Sequence, residues 1–228
     1  MLHIRPFRAL RPTSNLASRV ASVPYDVVDT AEARALAANN PYSFLHIIRP
    51  DIDLPDETGH YDDIVYETAR RTFERFIADG ILVQDDEPNI YLYRQVMNHQ
   101  EQIGVVCCCS IDDYANNIIK KHEKTRPDKE DDRTRLVLTL DANTGPVFLT
   151  FRDVAAIARH IAADVNQRPL YHFDAPDGVT HTVWRARNIE AYRDAFAKLE
   201  CAYVADGHHR SASAARAGAE RRAQHPDA

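Results

Sequence analysis

The sequence predicts an α+β fold of mixed, mostly antiparallel sheets with flanking helices. Two pairs of segments, 89–96 with 102–110 and 170–174 with 180–185, alternate in polarity around polar turns and are typical of antiparallel hairpins. Residues 61–79 carry apolar side chains at helical spacing. The chain then ends in a strand, a glycine turn and an alanine-rich helix.

The composition restricts the class of protein. Of 228 residues, 44% are hydrophobic and 27% are charged, which is typical of a globular chain. No apolar run is long enough to cross a membrane, and the N-terminus lacks the apolar core of a secretory signal. A net charge of −6 argues against a nucleic-acid binder. We therefore expect the partner to be a small molecule and expect no association with a membrane. The composition does not indicate an oligomeric state.

The cysteines do not form a metal or disulfide pattern. Three are adjacent, Cys107, Cys108 and Cys109, and the fourth is Cys201. The paired spacing of structural zinc ligands is absent. We expect small, buried, reduced side chains and a cytoplasmic protein.

The first half of the chain is predicted as follows. Residues 1–28 are extended and rich in turns. Asp29 or Thr30 caps a helix over 31–38. A strand is predicted over 43–48.

The helix predicted over 61–79 is the clearest element. It ends before Gly80, in the position that favours a left-handed residue. Its apolar side chains lie near one stripe: Ile64, Ala69, Phe73, Phe76 and Ile77. With Trp184, its aromatic residues are expected in the core.

The second half alternates helices and strands. A helix begins at Pro127, capped by Thr125 or Arg126. The remaining elements are a strand over 147–151, a helix over 153–165, a helix over 190–199, a strand over 201–205, and a helix from Ser211 to about 222.

The motif Asp206-Gly207-His208-His209-Arg210 between the last strand and helix combines several binding chemistries. The glycine lets the backbone approach a ligand, and a helix N-terminus favours an anion. The arginine offers a planar fork for phosphate, and the histidines offer donors or acid–base groups. The aspartate could bind Mg²⁺. The structural alternative is a capped helix with exposed polar residues.

A second motif occupies residues 120–133. His122, Glu123, Thr125 and Arg126 place a base, a carboxylate, a hydroxyl and a guanidinium within five residues. This differs from the zinc-binding H-E-x-x-H pattern, because Arg126 replaces the second histidine. The structural alternative is a solvated helix face.

Two other features have a simple structural interpretation. Segments 23–28 and 40–50 are most simply a proline turn and a buried strand, and segment 143–146 is a turn before a strand. Thr144 and Gly145 could line a pocket.

The combined set of motifs resembles the bacterial and archaeal domain-of-unknown-function family 1015. The resemblance covers essentially the whole chain in order. Members are usually near 400 residues, which implies that this chain is one α+β unit, 1–228, from the N-terminal part of a longer protein. A subdivision into 1–110 and 111–228 is the alternative. The residues that carry the resemblance are Pro6–Ala9, Val23–Val28, Asn40–Phe44, Lys121–Arg126, Lys129–Arg133, Asn143–Pro146 and Asp206–Arg210.

The strand–turn–helix at Asp206–Arg210 also resembles the nucleotide-binding motif of the ParB/sulfiredoxin superfamily, which includes free serine kinases. That resemblance implies that Gly207, His208, His209 and Arg210 hold nucleotide phosphates. A glutamate is the base in the serine kinases, and Glu123 or Glu130 could fill that role.

The leading hypothesis is therefore a phosphotransferase that acts on a small hydroxyl metabolite, with free serine as one candidate, using a nucleoside di- or triphosphate and Mg²⁺. The alternatives are a nucleotide-binding regulatory module without catalysis and a phosphatase with the same phosphate cradle. All require residues 120–133 and 203–211 to meet in one pocket.

The candidate residues divide by role. Predicted catalytic residues are Glu123, His122, Arg126 and His209. Predicted phosphate-binding residues are Lys121, Arg133, Gly207, His208, His209, Arg210 and Ser211. Asp206 is the predicted metal ligand.

Overall fold

The computed structural model describes residues 1–225, which group into two compact units. The first contains Met1–Ser18, Val83–Lys120 and Leu149–Tyr203. The second contains Arg19–Leu82, Lys121–Phe148 and the chain from Val204 onward. Whether the chain subdivides into 1–110 and 111–228 stays a prediction.

The described part of the chain is α+β, as predicted, with eleven strands and nine α-helices. The strands are β1 Ile4–Arg5, β2 Leu10–Pro12, β3 Leu82–Gln84, β4 Tyr91–Met97, β5 Gln100–Val106, β6 Cys108–Cys109, β7 Ile119–Lys120, β8 Phe148–Thr150, β9 Tyr171–Asp174, β10 Thr180–Arg185 and β11 Ala202–Asp206. The helices are α1 Ala17–Val20, α2 Thr30–Ala37, α3 Leu45–Ile48, α4 Asp63–Ala78, α5 Ile111–Ala115, α6 Pro127–Leu140, α7 Ala155–Asp164, α8 Ile189–Phe196 and α9 His208–Gln224.

The first unit is built on a four-stranded antiparallel sheet in the order β5-β4-β10-β9. Both predicted hairpins are present in it. Trp184 of β10 lies opposite Leu92 of β4, and the two side chains are buried. The predicted core position of the tryptophan is therefore confirmed. β11 pairs with β7 in parallel, so the sheets are mixed but mostly antiparallel.

The second unit is built mainly from helices. α4 packs against α3 and α6, and α6 packs against α9. The buried face of α4 carries Tyr66, Ala69, Phe73 and Phe76, whose spacings of three and four residues follow the helical repeat. α2 begins as predicted, with Asp29 as its N-cap. The Asp29 side chain accepts a hydrogen bond from the backbone N–H of Glu32, and the Glu32 side chain accepts one from the backbone N–H of Asp29.

The predicted strand over 43–48 is wrong. These residues form the short helix α3, in which the N–H groups of Ile47 and Ile48 both donate to the Phe44 carbonyl. Leu45, Ile47 and Ile48 are all buried. A short, fully apolar run fits a buried helix and a buried strand equally well, so periodicity did not separate them.

The predicted stripe of α4 is wrong at its two ends. Ile64 and Ile77 are 43% and 44% exposed, whereas Val65 and Tyr66 are buried. A shift of one residue turns a helical side chain by about 100°. The central positions of the stripe, Ala69, Phe73 and Phe76, are confirmed.

The expectation of buried cysteines is wrong for Cys108, which is exposed, and Cys107 and Cys109 are only half-buried. The extended backbone alternates its side chains between two faces, so adjacent residues do not share one environment. All four cysteines are free thiols.

The last helix begins at His208, three residues before its predicted start. The two histidines and Arg210 therefore lie in its first turn. No helix in the described part of the chain is long and apolar enough to span a membrane.

The two neighbours Phe76 and Ile77 test the packing of α4. Phe76 is fully buried and Ile77 is 44% exposed. We expect Phe76→Ala to lower the free energy of unfolding by about 3–5 kcal/mol and Ile77→Ala by about 0.5 kcal/mol or less, measured by urea denaturation. Equal losses would contradict the observed orientation of this helix.

Candidate functional site

The turn between β11 and α9 has the geometry expected of a strand–glycine–helix motif. Gly207 adopts a left-handed conformation with φ of +90°. Its carbonyl accepts from the backbone N–H of Ser211 at 2.8 Å, which closes the first turn of α9. The N–H groups at the start of α9 have no partner within the helix, as at every helix N-terminus.

The N-terminus of α6 is formed by the second motif. Pro127 occupies the first turn after Arg126, as predicted. The Thr125 hydroxyl donates to Glu130 Oε2 at 2.7 Å, which orders the residues that lead into the helix. Lys121 and His122 precede this turn in the chain.

The N-termini of α6 and α9 lie side by side in the second unit. The backbone N–H of Arg126 donates to His209 Nε2 at 3.1 Å. Farther along the helices, the Ser213 hydroxyl donates to the Glu130 carbonyl at 3.1 Å. Two positive helix ends therefore meet, and both favour a bound anion.

A cluster of two imidazoles and a carboxylate lies at the same place. His208 Nδ1 lies 3.3 Å from Glu123 Oε2, and His122 Nε2 lies 3.8 Å from Glu123 Oε1. The two imidazole rings meet edge to face, with centroids 4.4 Å apart. His208 is buried, whereas His122 and Glu123 are mostly exposed, so the cluster opens to solvent on one side.

Arg210 is held by the turn itself. Its Nη2 lies 2.6 Å from Asp206 Oδ2, and its Nη1 donates to the Pro146 carbonyl at 2.5 Å. The side chain passes over two glycines, since a Cβ added at Gly145 or Gly207 would lie 3.2 Å from it. Asp206, the predicted metal ligand, is therefore engaged in an ion pair.

Arg133 lies in a different set of contacts from the turn. It pairs with the buried Asp132 at 2.6 Å, and its guanidinium stacks over the Tyr25 ring at 4.2 Å. Burial raises the pKa of Tyr25 above its ordinary value, and the positive charge of Arg133 opposes that rise. A role for Arg133 in phosphate binding stays a prediction.

Two residues of the site were assigned only to a turn from the sequence. Tyr25 supports Arg133, and Asp26 Oδ2 lies 3.7 Å from Arg210 Nη2. The motif Val23-Pro24-Tyr25-Asp26 that carries them was visible, but its spacing gave no chemistry by itself. The only feature of the sequence that could have drawn attention to them is that a tyrosine and an aspartate follow a proline in this motif.

Three buried polar atoms in the first turn of α9 have no hydrogen-bond partner among the described residues: His208 Nε2, Arg210 Nε and Ser211 Oγ. Burying such an atom without a partner costs about 1–3 kcal/mol. His208 and Ser211 are three residues apart and share one face of the helix. Their unfilled hydrogen-bonding capacity gives this turn polar groups that a polar ligand could satisfy.

The chain matches the family described as "Protein of unknown function (DUF1015)" over residues 4–228, and it belongs to that family. The family resemblance of the motifs is thereby confirmed. No curated protein and no solved structure matches the chain. The likeness to the ParB/sulfiredoxin superfamily has no support from these comparisons.

Gly207 and Gly178 provide a matched test of the turn. Both have positive φ, +90° and +82°, but only a Cβ at Gly207 would press on Arg210. We expect Gly178→Ala to lose about 1–3 kcal/mol of stability through backbone strain, and Gly207→Ala to lose about 1–3 kcal/mol more through overpacking.

Urea denaturation gives the stability losses, and the side-chain Nε–H NMR signal of Arg210 reports its environment. That signal should move in Gly207→Ala and stay in place in Gly178→Ala. An unchanged signal in both variants would show that the glycine does not make room for the arginine.

Proposed function

We propose that this member of the DUF1015 family is a phosphotransferase that moves a phosphoryl group from a nucleoside di- or triphosphate to the hydroxyl of a small metabolite. Free serine is one candidate acceptor. The observation that carries the proposal is the meeting of two helix N-termini, through Arg126 and His209, beside a cluster of two histidines and a glutamate. Phosphoryl transfer requires this combination of phosphate positioning and a proton acceptor.

The phosphates would lie at the start of α9. Gly207 leaves the backbone accessible, and the free N–H groups of the first turn favour phosphate oxygens. The Nε–H of Arg210 has no partner within residues 1–225, and His209 lies at the junction with Arg126. Arg126 is 69% exposed and pairs with Asp128 at 2.7 Å, so its guanidinium would leave that carboxylate to reach the charge that develops on the transferred group.

The transfer step can be balanced with these groups. The acceptor oxygen forms a bond to phosphorus while the bond from phosphorus to the leaving nucleotide oxygen breaks. The acceptor proton passes to the Glu123 carboxylate, which His122 and His208 flank. The leaving oxygen keeps the electron pair and its negative charge, which arginine side chains and Mg²⁺ would neutralise.

Mg²⁺ would accompany the nucleotide phosphates, with Asp206 as the predicted protein ligand. Because Asp206 Oδ2 lies 2.6 Å from Arg210, this carboxylate would have to exchange one cationic partner for another. Phosphate binding would free it by drawing the guanidinium toward the phosphate.

The resemblance of Asp206–Arg210 to the ParB/sulfiredoxin nucleotide motif supports the proposal, because that motif holds phosphates between a strand and a helix. Two alternatives use the same cradle. A regulatory module would bind nucleotide without transferring phosphate, and a phosphatase would pass the phosphoryl group to water. Their products differ, so one assay separates them.

Calorimetric titration with ADP, ATP and CTP in the presence of Mg²⁺ tests the phosphate cradle. We expect micromolar binding of at least one nucleotide. His209→Ala should weaken it by about 1–3 kcal/mol, because a hydrogen bond to a charged phosphate is lost.

Arg216→Ala is the matched control, since Arg216 is a cation of the same helix that lies beyond its first turn and pairs with Asp131, Glu130 and Glu220. Its affinity for the nucleotide should stay unchanged. Absence of binding by the folded chain, or an equal loss in both variants, would contradict phosphate binding at the start of α9.

Transfer itself is tested by ³¹P NMR with the bound nucleotide and a panel of small hydroxyl compounds that includes serine. Glu123→Gln should abolish the phosphoester product while nucleotide affinity stays within about threefold, because the amide cannot accept the proton. Inorganic phosphate without phosphoester would identify the phosphatase. Nucleotide binding without any product would identify the regulatory module.

A further inference from the structure

We propose that His122, Glu123 and His208 bind a divalent transition-metal ion of the Zn²⁺ class. This ion would be separate from the Mg²⁺ that accompanies a nucleotide. The three side chains come from one unit, the first two from the segment before α6 and the third from the first turn of α9.

The spacing of the three side chains fits a single ion. One ligand atom from each residue lies within 4.8 Å of the others. His208 Nδ1 lies 3.3 Å from Glu123 Oε2, and His122 Nε2 lies 3.8 Å from the other oxygen of that carboxylate, Oε1. Metal–ligand distances of about 2.0–2.2 Å place the ligands of a tetrahedral ion about 3.4 Å apart. An ion therefore fits between these atoms with small side-chain rotations.

The ligand types select the class of metal. Imidazole nitrogen suits Zn²⁺ and its neighbours, whereas Mg²⁺ and Ca²⁺ prefer oxygen ligands. Two histidines and a glutamate are one of the ligand sets of catalytic zinc sites, which leave a position open for water or substrate. The exposure of His122 and Glu123 leaves solvent access on that side.

His208 is the buried ligand of the three. Its side chain is 5% exposed, and its Nδ1 faces Glu123 Oε2 at 3.3 Å. Nδ1 is therefore the atom placed to bind the ion. The other ring nitrogen, Nε2, points away from Glu123 and has no hydrogen-bond partner among the described residues, so it is a separate place for a polar group.

His46, which also lies in this unit and faces a carboxylate, shows the contrast. His46 Nδ1 lies 2.8 Å from Asp53, and its Nε2 lies 3.2 Å from the Asn40 carbonyl. Both ring nitrogens of His46 therefore have partners. Asp53 raises the pKa of His46, as expected of a structural ion pair.

The use of the ion in catalysis rests on the proposed function, whereas its binding does not. An acceptor hydroxyl in the open position would be acidified by the ion. Glu123 would bind the ion through one carboxylate oxygen, and its other oxygen would accept the proton. Loss of transfer in Glu123→Gln is expected with or without the ion.

The test is titration of the chain with Zn²⁺, Co²⁺ and Mg²⁺, without nucleotide, by calorimetry and absorption spectroscopy. We expect one Zn²⁺ ion per chain and much weaker binding of Mg²⁺. His122→Ala and Glu123→Gln should each weaken Zn²⁺ binding by about tenfold or more. Both side chains are mostly exposed, so the fold should tolerate these changes.

His60→Ala is the matched control, because it removes an exposed imidazole of the same unit, and its Zn²⁺ affinity should equal that of the unmodified chain. Absence of Zn²⁺ binding, equal losses in all three variants, or a thiolate-to-cobalt charge-transfer band would overturn the proposal. The last outcome would place the ion at the cysteines. Metal binding with no nucleotide binding would refute only the phosphotransferase, and the reverse would refute only the metal site.

Discussion

The contacts of the Arg210 guanidinium hold the candidate site together. The guanidinium connects the carboxylates of Asp206 and Asp26 with the Pro146 carbonyl, so three separate segments of the second unit are fixed around one side chain. Two of the chain's few glycines lie against it and leave the room it needs. Without this cation, two carboxylates would face each other at the start of α9, where a phosphate is proposed to bind. The arginine therefore shapes the turn and keeps its potential favourable for an anion.

The elements that the sequence predicted well are those with local physical causes. The capping box of α2 needs only Asp29 and Glu32, and the start of α6 needs only Pro127. The hairpins follow from alternation and turn residues. The strand–glycine–helix order around Gly207 was equally visible, because a strand, a left-handed glycine and an alanine-rich segment each have a local preference.

The rest depended on tertiary contacts that spacing does not encode. In the run 43–48 the apolar side chains are buried, and burial alone fits a helix and a strand equally well. Glu123 and His208 are far apart in the chain, and only the packing of α6 on α9 brings their side chains together. The contacts of Tyr25 with Arg133 and of Asp26 with Arg210 likewise required the fold. Motif reasoning found most candidate residues but not which pairs of them touch.

We propose that the N-termini of α6 and α9 form one anion site, and backbone amide NMR during titration with ADP and Mg²⁺ tests this. If they do, amides 207–211 and 128–130 shift together and give one dissociation constant, while amides at the C-terminal ends of both helices stay in place. Shifts confined to other parts of the chain, or different constants for the two helix ends, would contradict the shared site.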